Sequence, residues 1–292
     1  MLMNNLILKI VVFFWRILML LPRRVQLVLG NVLGNILLMV PFKRNKFSKI
    51  NIDICFPELN ELEKRNLYKK NIISSGNILF DTGVSWFWSN ERIKKNINYK
   101  IKGLKKLLRE QENNKGVLLF FKHSLHLELD SRILAMHSDI YGIEREHNSP
   151  EFELLQKTGR LKSMKGITDR KNTFTFIKWL KKGKTVLYAP DQDYGLKKSI
   201  EIDFFNNPAA TISAPYRLIS STGCKAYFLN SYINDGLLTI DIEEIFFDNQ
   251  DEVKFTKSLN NYIEEKIRDF PHEYLWQHRR FKSTLGKTDL YK

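Results

Sequence analysis

Cysteine is nearly missing from this chain: Cys55 and Cys224 stand alone, with no C-x-x-C spacing. That argues against a disulfide framework and against a structural zinc site, and for a reducing compartment. Glycine and proline are also sparse, 14 and 8 in 292 residues, too few for a low-complexity chain. Acidic residues are the minority, 32 against 47 Lys plus Arg, which leaves a formal net charge of +15. Internal repeats and long linkers are absent as well.

What is present suits a folded α/β chain. Hydrophobic residues make up 43% and charged residues 27%, which excludes a disordered or fibrous protein. The length allows one large domain or two small ones, each able to bury a core. A globular protein this basic meets something acidic: nucleic acid, an anionic membrane surface, or a polyanionic protein or substrate.

The N-terminus decides among these partners. Residues 5–22, NLILKIVVFFWRILMLLP, are nearly all apolar except for Lys9 and Arg16. With Arg23 these cations recur every seven residues, so a continuous helix at about 3.6 residues per turn carries all three on one face. A spanning helix needs roughly 20 apolar residues and seldom carries charge at its middle. A helix lying in the interface, with Phe13, Phe14 and Trp15 in the acyl region, fits this pattern better, and spanning is left open. The order of charge and apolar residues is wrong for a signal peptide. Val25–Val40 is apolar again, and Lys43, Arg44, Lys46 and Lys49 follow it as a cytoplasmic cationic flank. Residues 1–45 thus read as a membrane-anchoring helical segment and 46–292 as the catalytic domain.

The remainder alternates helices with short buried strands. Asn60-x-x-Glu63 suits a capping box that opens a helix. Ile101, Leu104, Leu107 and Leu108 suit a short amphipathic helix. Val117–Phe121 is an apolar run fit for a strand buried on both faces. A helix through Phe174, Ile177 and Leu180 precedes a strand at Thr185–Ala189, and a helix at 212–222 precedes another at Lys225–Leu229. Asn234-Asp235-Gly236 marks a hairpin turn, and Phe255 to Ile267 a last long helix. The fold class is α/β, a mainly parallel sheet flanked by helices, with an N-terminal hydrophobic helix.

Ligands of an open parallel sheet sit beyond the carboxyl ends of its strands. Strand 117–121 runs into His123 and, one helical turn on, Glu128; strand 185–189 runs into Asp191 and Asp193. A histidine held by a carboxylate through one ring nitrogen keeps the other free to take a proton from a hydroxyl. By spacing alone H-x4-E is a weak signal, and a capping or core histidine explains it equally well. His126 with Asp130 forms a rival pair at i, i+4. A metal at His123, His126 and Glu128 lacks further ligands nearby, so none is expected.

The residues also carry a resemblance. NIDICFPE at 51–58, HSLHLE at 123–128, KTGRLKS at 157–163 and DRKN at 169–172 come in order, followed by LKKGKTVLYAPDQDYG at 180–195, FFNNPAAT at 204–211 and EYLWQHRRFK at 273–282. Together they resemble the lipid A biosynthesis (late) acyltransferases of Gram-negative bacteria, within the H-x4-D/E acyltransferase superfamily, and lean to the lauroyl-transferring branch. The sheet architecture is then expected to be glycerolipid-acyltransferase-like. The resemblance implies transfer of a fatty acyl group from acyl-acyl carrier protein to a hydroxyl of a Kdo-bearing lipid A precursor, at the cytoplasmic face of the inner membrane. It implies His123 as base with Glu128 as its partner, and Arg160 and Asp191 as the further polar residues that bind substrate. Asp191 either holds Arg160 or the histidine, or simply turns its loop. Asp130-Ser131 departs from the two glycines usual in the family at that point.

No cofactor is demanded, because a thioester is already activated. The basic charge suits both an anionic acceptor and an acidic carrier protein. Nucleic acid is not expected, since stacking aromatics interleaved with cations are missing. A thioesterase or another phospholipid acyltransferase is the nearest enzymatic rival, and a non-catalytic membrane scaffold the non-enzymatic one. Trp86 and Trp88 suit either the bilayer interface or an aromatic core. The basic segment at 273–282 suits either an anion-binding or a solvated end.

Overall fold

The structure, a computed structural model, describes residues 2–246, 251–288, 290 and 291. Six helices come first: α1 (Leu2–Leu18), α2 (Arg23–Met39), α3 (Lys43–Cys55), α4 (Glu61–Ser75), α5 (Ile78–Phe87) and α6 (Asn90–Asn96). Strands and helices then alternate: β1 (Tyr99–Lys102), α7 (Leu104–Glu112), β2 (Val117–Phe121), α8 (Leu127–Ala135), β3 (Ile140–Glu144), α9 (Pro150–Arg160), β4 (Gly166–Asp169), α10 (Thr173–Lys181) and β5 (Thr185–Tyr188). A hairpin of β6 (Ile200–Phe204) and β7 (Asn207–Thr211) precedes α11 (Ala214–Thr222), β8 (Lys225–Asn234), β9 (Leu237–Glu244) and α12 (Glu252–Asp269).

Seven strands form one sheet in the order β1-β9-β8-β2-β5-β3-β4, with β6 and β7 paired separately. Every neighbouring pair in the large sheet is parallel except β8 with β9. That exception follows from the tight turn between them, where Asp235 and Gly236 both take positive φ, 48° and 75°. Central β2 is apolar throughout because both faces are covered. Val117 and Leu119 enter a core with α5, α8 and β9, while Leu118 and Phe120 enter one with α10, α11 and α12.

Several expectations are corrected. Lys9, Arg16 and Arg23 do not share one helix, because α1 stops at Leu18 and Pro22 precedes the start of α2. Arg23 instead turns inward to Asp81 of α5 at 2.5 Å. Ile101 belongs to β1, separated from α7 by Gly103 at φ 73°. The strand at 225–229 continues to Asn234, and the preceding helix starts at Ala214 rather than Ile212. Of the two alternatives for Trp86 and Trp88, the aromatic core is the one realised: they are only 4% and 3% exposed.

Among the described residues no single helix is long and apolar enough to cross a membrane; α2 with α3 passes by length and composition but is bent by 85°. α1, α2 and the turn between them nonetheless present a broad apolar surface, including Phe13 at 60%, Phe14 at 59%, Leu20 at 70% and Val28 at 61% exposure.

The C-terminal segment is built into the fold rather than left as a solvated end. Trp276 and Arg280 are fully buried, and Arg280 donates to Ala210 O and Thr211 Oγ1, each at 2.8 Å. Asn51 of α3 donates to the carbonyls of Trp276 (2.8 Å) and His278 (2.7 Å). Asn71 of α4 does the same for His272 (2.9 Å) and Tyr274 (2.8 Å). Leu125 N reaches Glu273 O at 2.8 Å and Leu275 N reaches His123 O at 2.9 Å, so this segment braces the loop that carries His123.

Candidate active site

His123 and Asp191 follow the carboxyl ends of β2 and β5, which are adjacent parallel strands. Their loops therefore emerge side by side. Asp191 Oδ1 lies 2.6 Å from His123 Nδ1, and its Oδ2 accepts the His123 backbone N–H at 2.8 Å. A carboxylate at Nδ1 fixes the tautomer with the proton there and leaves Nε2 as the basic nitrogen. No described residue hydrogen-bonds Nε2. Burial alone would raise the Asp191 carboxyl, but the His123 ring and backbone N–H outweigh it and hold it well below the usual carboxylate range.

Glu128 does not take this place. It sits in the first turn of α8, and its carboxylate accepts from the Arg160 guanidinium and from Trp86 Nε1 at 2.9 Å. Arg160 ends α9, and its Nη1 also reaches Glu144 Oε2 at 2.5 Å, at the end of β3. Both carboxylates oppose the burial of the guanidinium and raise its pKa. Burial would raise Glu128, yet the cation and the indole N–H bring it below its ordinary value. Glu144 is raised, since burial there is only partly offset by Arg160.

The four anticipated residues therefore form two units, His123 with Asp191 and Glu128 with Arg160. The expectation that Glu128 partners His123 is corrected by geometry: no hydrogen bond joins them. Of the roles open to Asp191, holding the histidine is the one the geometry gives and substrate contact is corrected, because it is fully buried with both oxygens turned to His123.

His126 lies below the site. It is 3% exposed, and its Nδ1 meets Asp130 at 2.7 Å and its Nε2 meets Glu273 at 3.5 Å. Burial disfavours its charge, but the two carboxylates prevail and raise it to about 10, a buried imidazolium. Asp130 also accepts from Ser124 at 2.7 Å and Ser231 at 2.6 Å. The Asp130 side chain thus pins the loop after β2 to β8.

Two residues were not legible in the sequence. Glu144 carried no motif. His278 stands in the sequence only as part of a basic segment, yet burial pulls it down to about 4, and its Nδ1–H donates to Leu275 O at 2.6 Å. Its Nε2 is then a bare acceptor with no described partner.

His123, Glu128, Glu144, Arg160 and His278 line one cavity of about 710 Å³. Its apolar wall comes from Leu127, Ile143, Met164, Ile167, Phe176 and Leu187. Among the described residues no group of three or more His, Cys, Asp and Glu is arranged to hold a metal ion.

A histidine held by a carboxylate at one ring nitrogen, on the wall of a cavity, is an arrangement able to take a proton from a hydroxyl. Comparison with known proteins narrows that chemistry. Residues 2–283 match the family model of bacterial lipid A biosynthesis acyltransferases. The chain is 35% identical to a lipid A biosynthesis acyltransferase of Haemophilus influenzae, covering 93% of this chain and 89% of that protein. It is 35% identical to the lipid A biosynthesis lauroyltransferase of Escherichia coli, covering 90% and 87%. With the Escherichia coli myristoyltransferase the identity is 23%, over 83% and 77%. The chain belongs to the bacterial lipid A biosynthesis acyltransferase family and is an acyltransferase of lipid A biosynthesis.

Proposed function

We propose that this enzyme moves a fatty acyl group from acyl-acyl carrier protein to a hydroxyl of a Kdo-bearing lipid A precursor. His123 Nε2 takes the hydroxyl proton as the oxygen attacks the thioester carbonyl. The tetrahedral intermediate collapses, the carrier thiolate leaves, and the imidazolium returns the proton to it. Asp191 keeps the ring in the required tautomer and stabilises its charged form. The Glu128–Arg160–Glu144 unit braces the wall beside His123; with two carboxylates on its guanidinium, Arg160 acts here through Glu128 rather than as an uncommitted substrate contact.

We place the enzyme at the inner membrane, on its cytoplasmic face, with residues 1–45 as the anchoring segment and 46–292 as the catalytic domain. The exposed apolar faces of α1 and α2, flanked by cations, support this. The observation that carries the catalytic reading is the pair of hydrogen bonds that Asp191 accepts from His123, which leaves Nε2 unengaged.

The test is a mass-spectrometric transfer assay with purified protein, a mixture of acyl-acyl carrier proteins and a Kdo-bearing lipid A precursor. Wild type should yield an acylated lipid, and His123→Ala should lose at least ~100-fold in rate while keeping its membrane binding. Near-normal turnover by His123→Ala would sink the mechanism. Free fatty acid without acylated lipid would point to a hydrolase or to a wrong acceptor.

A further inference from the structure

Six cations, Arg145, Arg170, Lys171, Lys198, Arg279 and Lys282, also line the cavity that contains His123. They come from four separate places: Arg145 follows β3, Arg170 and Lys171 follow β4, Lys198 precedes β6, and Arg279 and Lys282 belong to the C-terminal segment. All six are exposed, and none forms an ion pair with a described residue. The acids of the same cavity are already engaged. Glu128 and Glu144 hold Arg160, and Asp193 accepts from Ser283 Oγ at 2.7 Å and from the backbone N–H of Gly195 and of Ser283, each at 2.8 Å. The cations outnumber the acids of the lining, so the field at the rim is positive.

The rim cations stand against an apolar inner wall, so the cavity is complementary to an amphiphile whose anionic head stays at the mouth. Arg170 lies over the Tyr194 ring at 5.2 Å and Arg279 over Phe47 at 5.7 Å, which orients two of the guanidinium groups. Arginine forks suit phosphate and carboxylate oxygens bidentately, and lysines add point charge. We propose that these six side chains form a cradle for the phosphate and carboxylate groups of the lipid acceptor's headgroup. This rests on reading the cavity as the acyl-transfer site. A concave rim with apolar walls favours a lipid headgroup over the convex face of a carrier protein, and the test makes the carrier an outcome.

The experiment uses the full-length double variants Arg170→Ala/Lys171→Ala and Arg279→Ala/Lys282→Ala, whose exposed positions leave the core intact. Losing charge-assisted contacts is worth roughly tenfold or more in affinity. Each variant should raise KM for the anionic acceptor at least ~10-fold and leave KM for acyl-acyl carrier protein within about twofold. A second measurement needs no turnover: binding of the anionic glycolipid, and of a neutral glycolipid of equal acyl content, in detergent micelles. The variants should weaken only the first. Equal micelle binding by wild type and variants would overturn the cradle, and so would a rise confined to the carrier-protein KM. A wild type that binds the anionic glycolipid but acylates nothing would instead remove the acyl-transfer reading and leave the cradle standing.

Discussion

Asp191 receives two N–H groups from one residue, the backbone and the ring of His123, at 2.8 and 2.6 Å. The arrangement locks both the loop and the tautomer, and an amide cannot reproduce it. Asn would present one oxygen and one NH2 to two donors. Asp191→Asn should therefore lower kcat by ~100- to 10,000-fold with modest change in KM, measured in the transfer assay. The pH dependence has a definite sign. The folded carboxyl lies below its ordinary value, so its stabilisation is present above about pH 4 and is lost as pH falls further. Acid unfolding followed by circular dichroism should show a steeper loss for wild type than for Asp191→Asn.

Glu128 and Arg160 are each mostly buried, their side chains 18% and 20% exposed. Removing one leaves the other charge without its main partner. Glu128→Gln should destabilise by about 3 kcal/mol, the low end for breaking a buried pair. Arg160→Met in that background should then cost less than it does alone. Urea unfolding of the two single variants and the double closes the cycle, and strictly additive losses would refute the coupling.

Gly159, one residue before Arg160, packs on the face of Trp86. A Cβ there would sit 2.5 Å from Trp86 Cγ, so the indole must shift. The same indole donates to Glu128 at 2.9 Å. Gly159→Ala should shift the tryptophan fluorescence and lower kcat/KM, whereas a change at an exposed position such as Lys105→Ala should do neither.

Much of this was legible because it is local. The apolar run 117–121, the capping box at Asn60 and the Asn234-Asp235-Gly236 turn each encode their structure within a few residues. β1, β3, β4 and the β6–β7 hairpin were missed. Gly166–Asp169 and Asn207–Thr211, for instance, carry glycine, proline or polar residues and are four or five residues long, so their pairing comes from the sheet. The site was legible as residues but not as pairs. Which carboxylate reaches His123 depends on β2 and β5 being neighbours, 68 positions apart in sequence. The i, i+5 spacing suggested Glu128 instead, while the approach of α9 turned that carboxylate to Arg160.

His126 gives a second signed prediction. Its folded pKa is raised to about 10, chiefly by Asp130 and Glu273 against the effect of burial. Such a group stabilises fully below the ordinary histidine value near 6.5 and loses this as pH rises through about 10. Lys122 works the other way, because burial lowers it to about 8. The difference between wild type and His126→Gln isolates the histidine. The stability advantage of wild type, by urea unfolding, should shrink steadily from about pH 7 to pH 10.

The apolar face of α1 gives the last prediction, and it separates a membrane surface from an exposed but idle one. Phe13 and Phe14 are 60% and 59% exposed, with Lys9 and Arg16 on the same helix. Burying a phenylalanine is worth about 1.5–3 kcal/mol, so Phe13→Glu/Phe14→Glu should weaken vesicle binding by at least ~100-fold. Each cation near an anionic surface adds about 1 kcal/mol that salt screens, so Lys9→Gln/Arg16→Gln should weaken binding only to anionic vesicles and only at low salt. Co-sedimentation with neutral and anionic vesicles measures both. If the phenylalanine variant bound as wild type does, α1 would not be the seat of membrane attachment, and α2, with Val28 and Leu20 beside it, would have to carry that role alone.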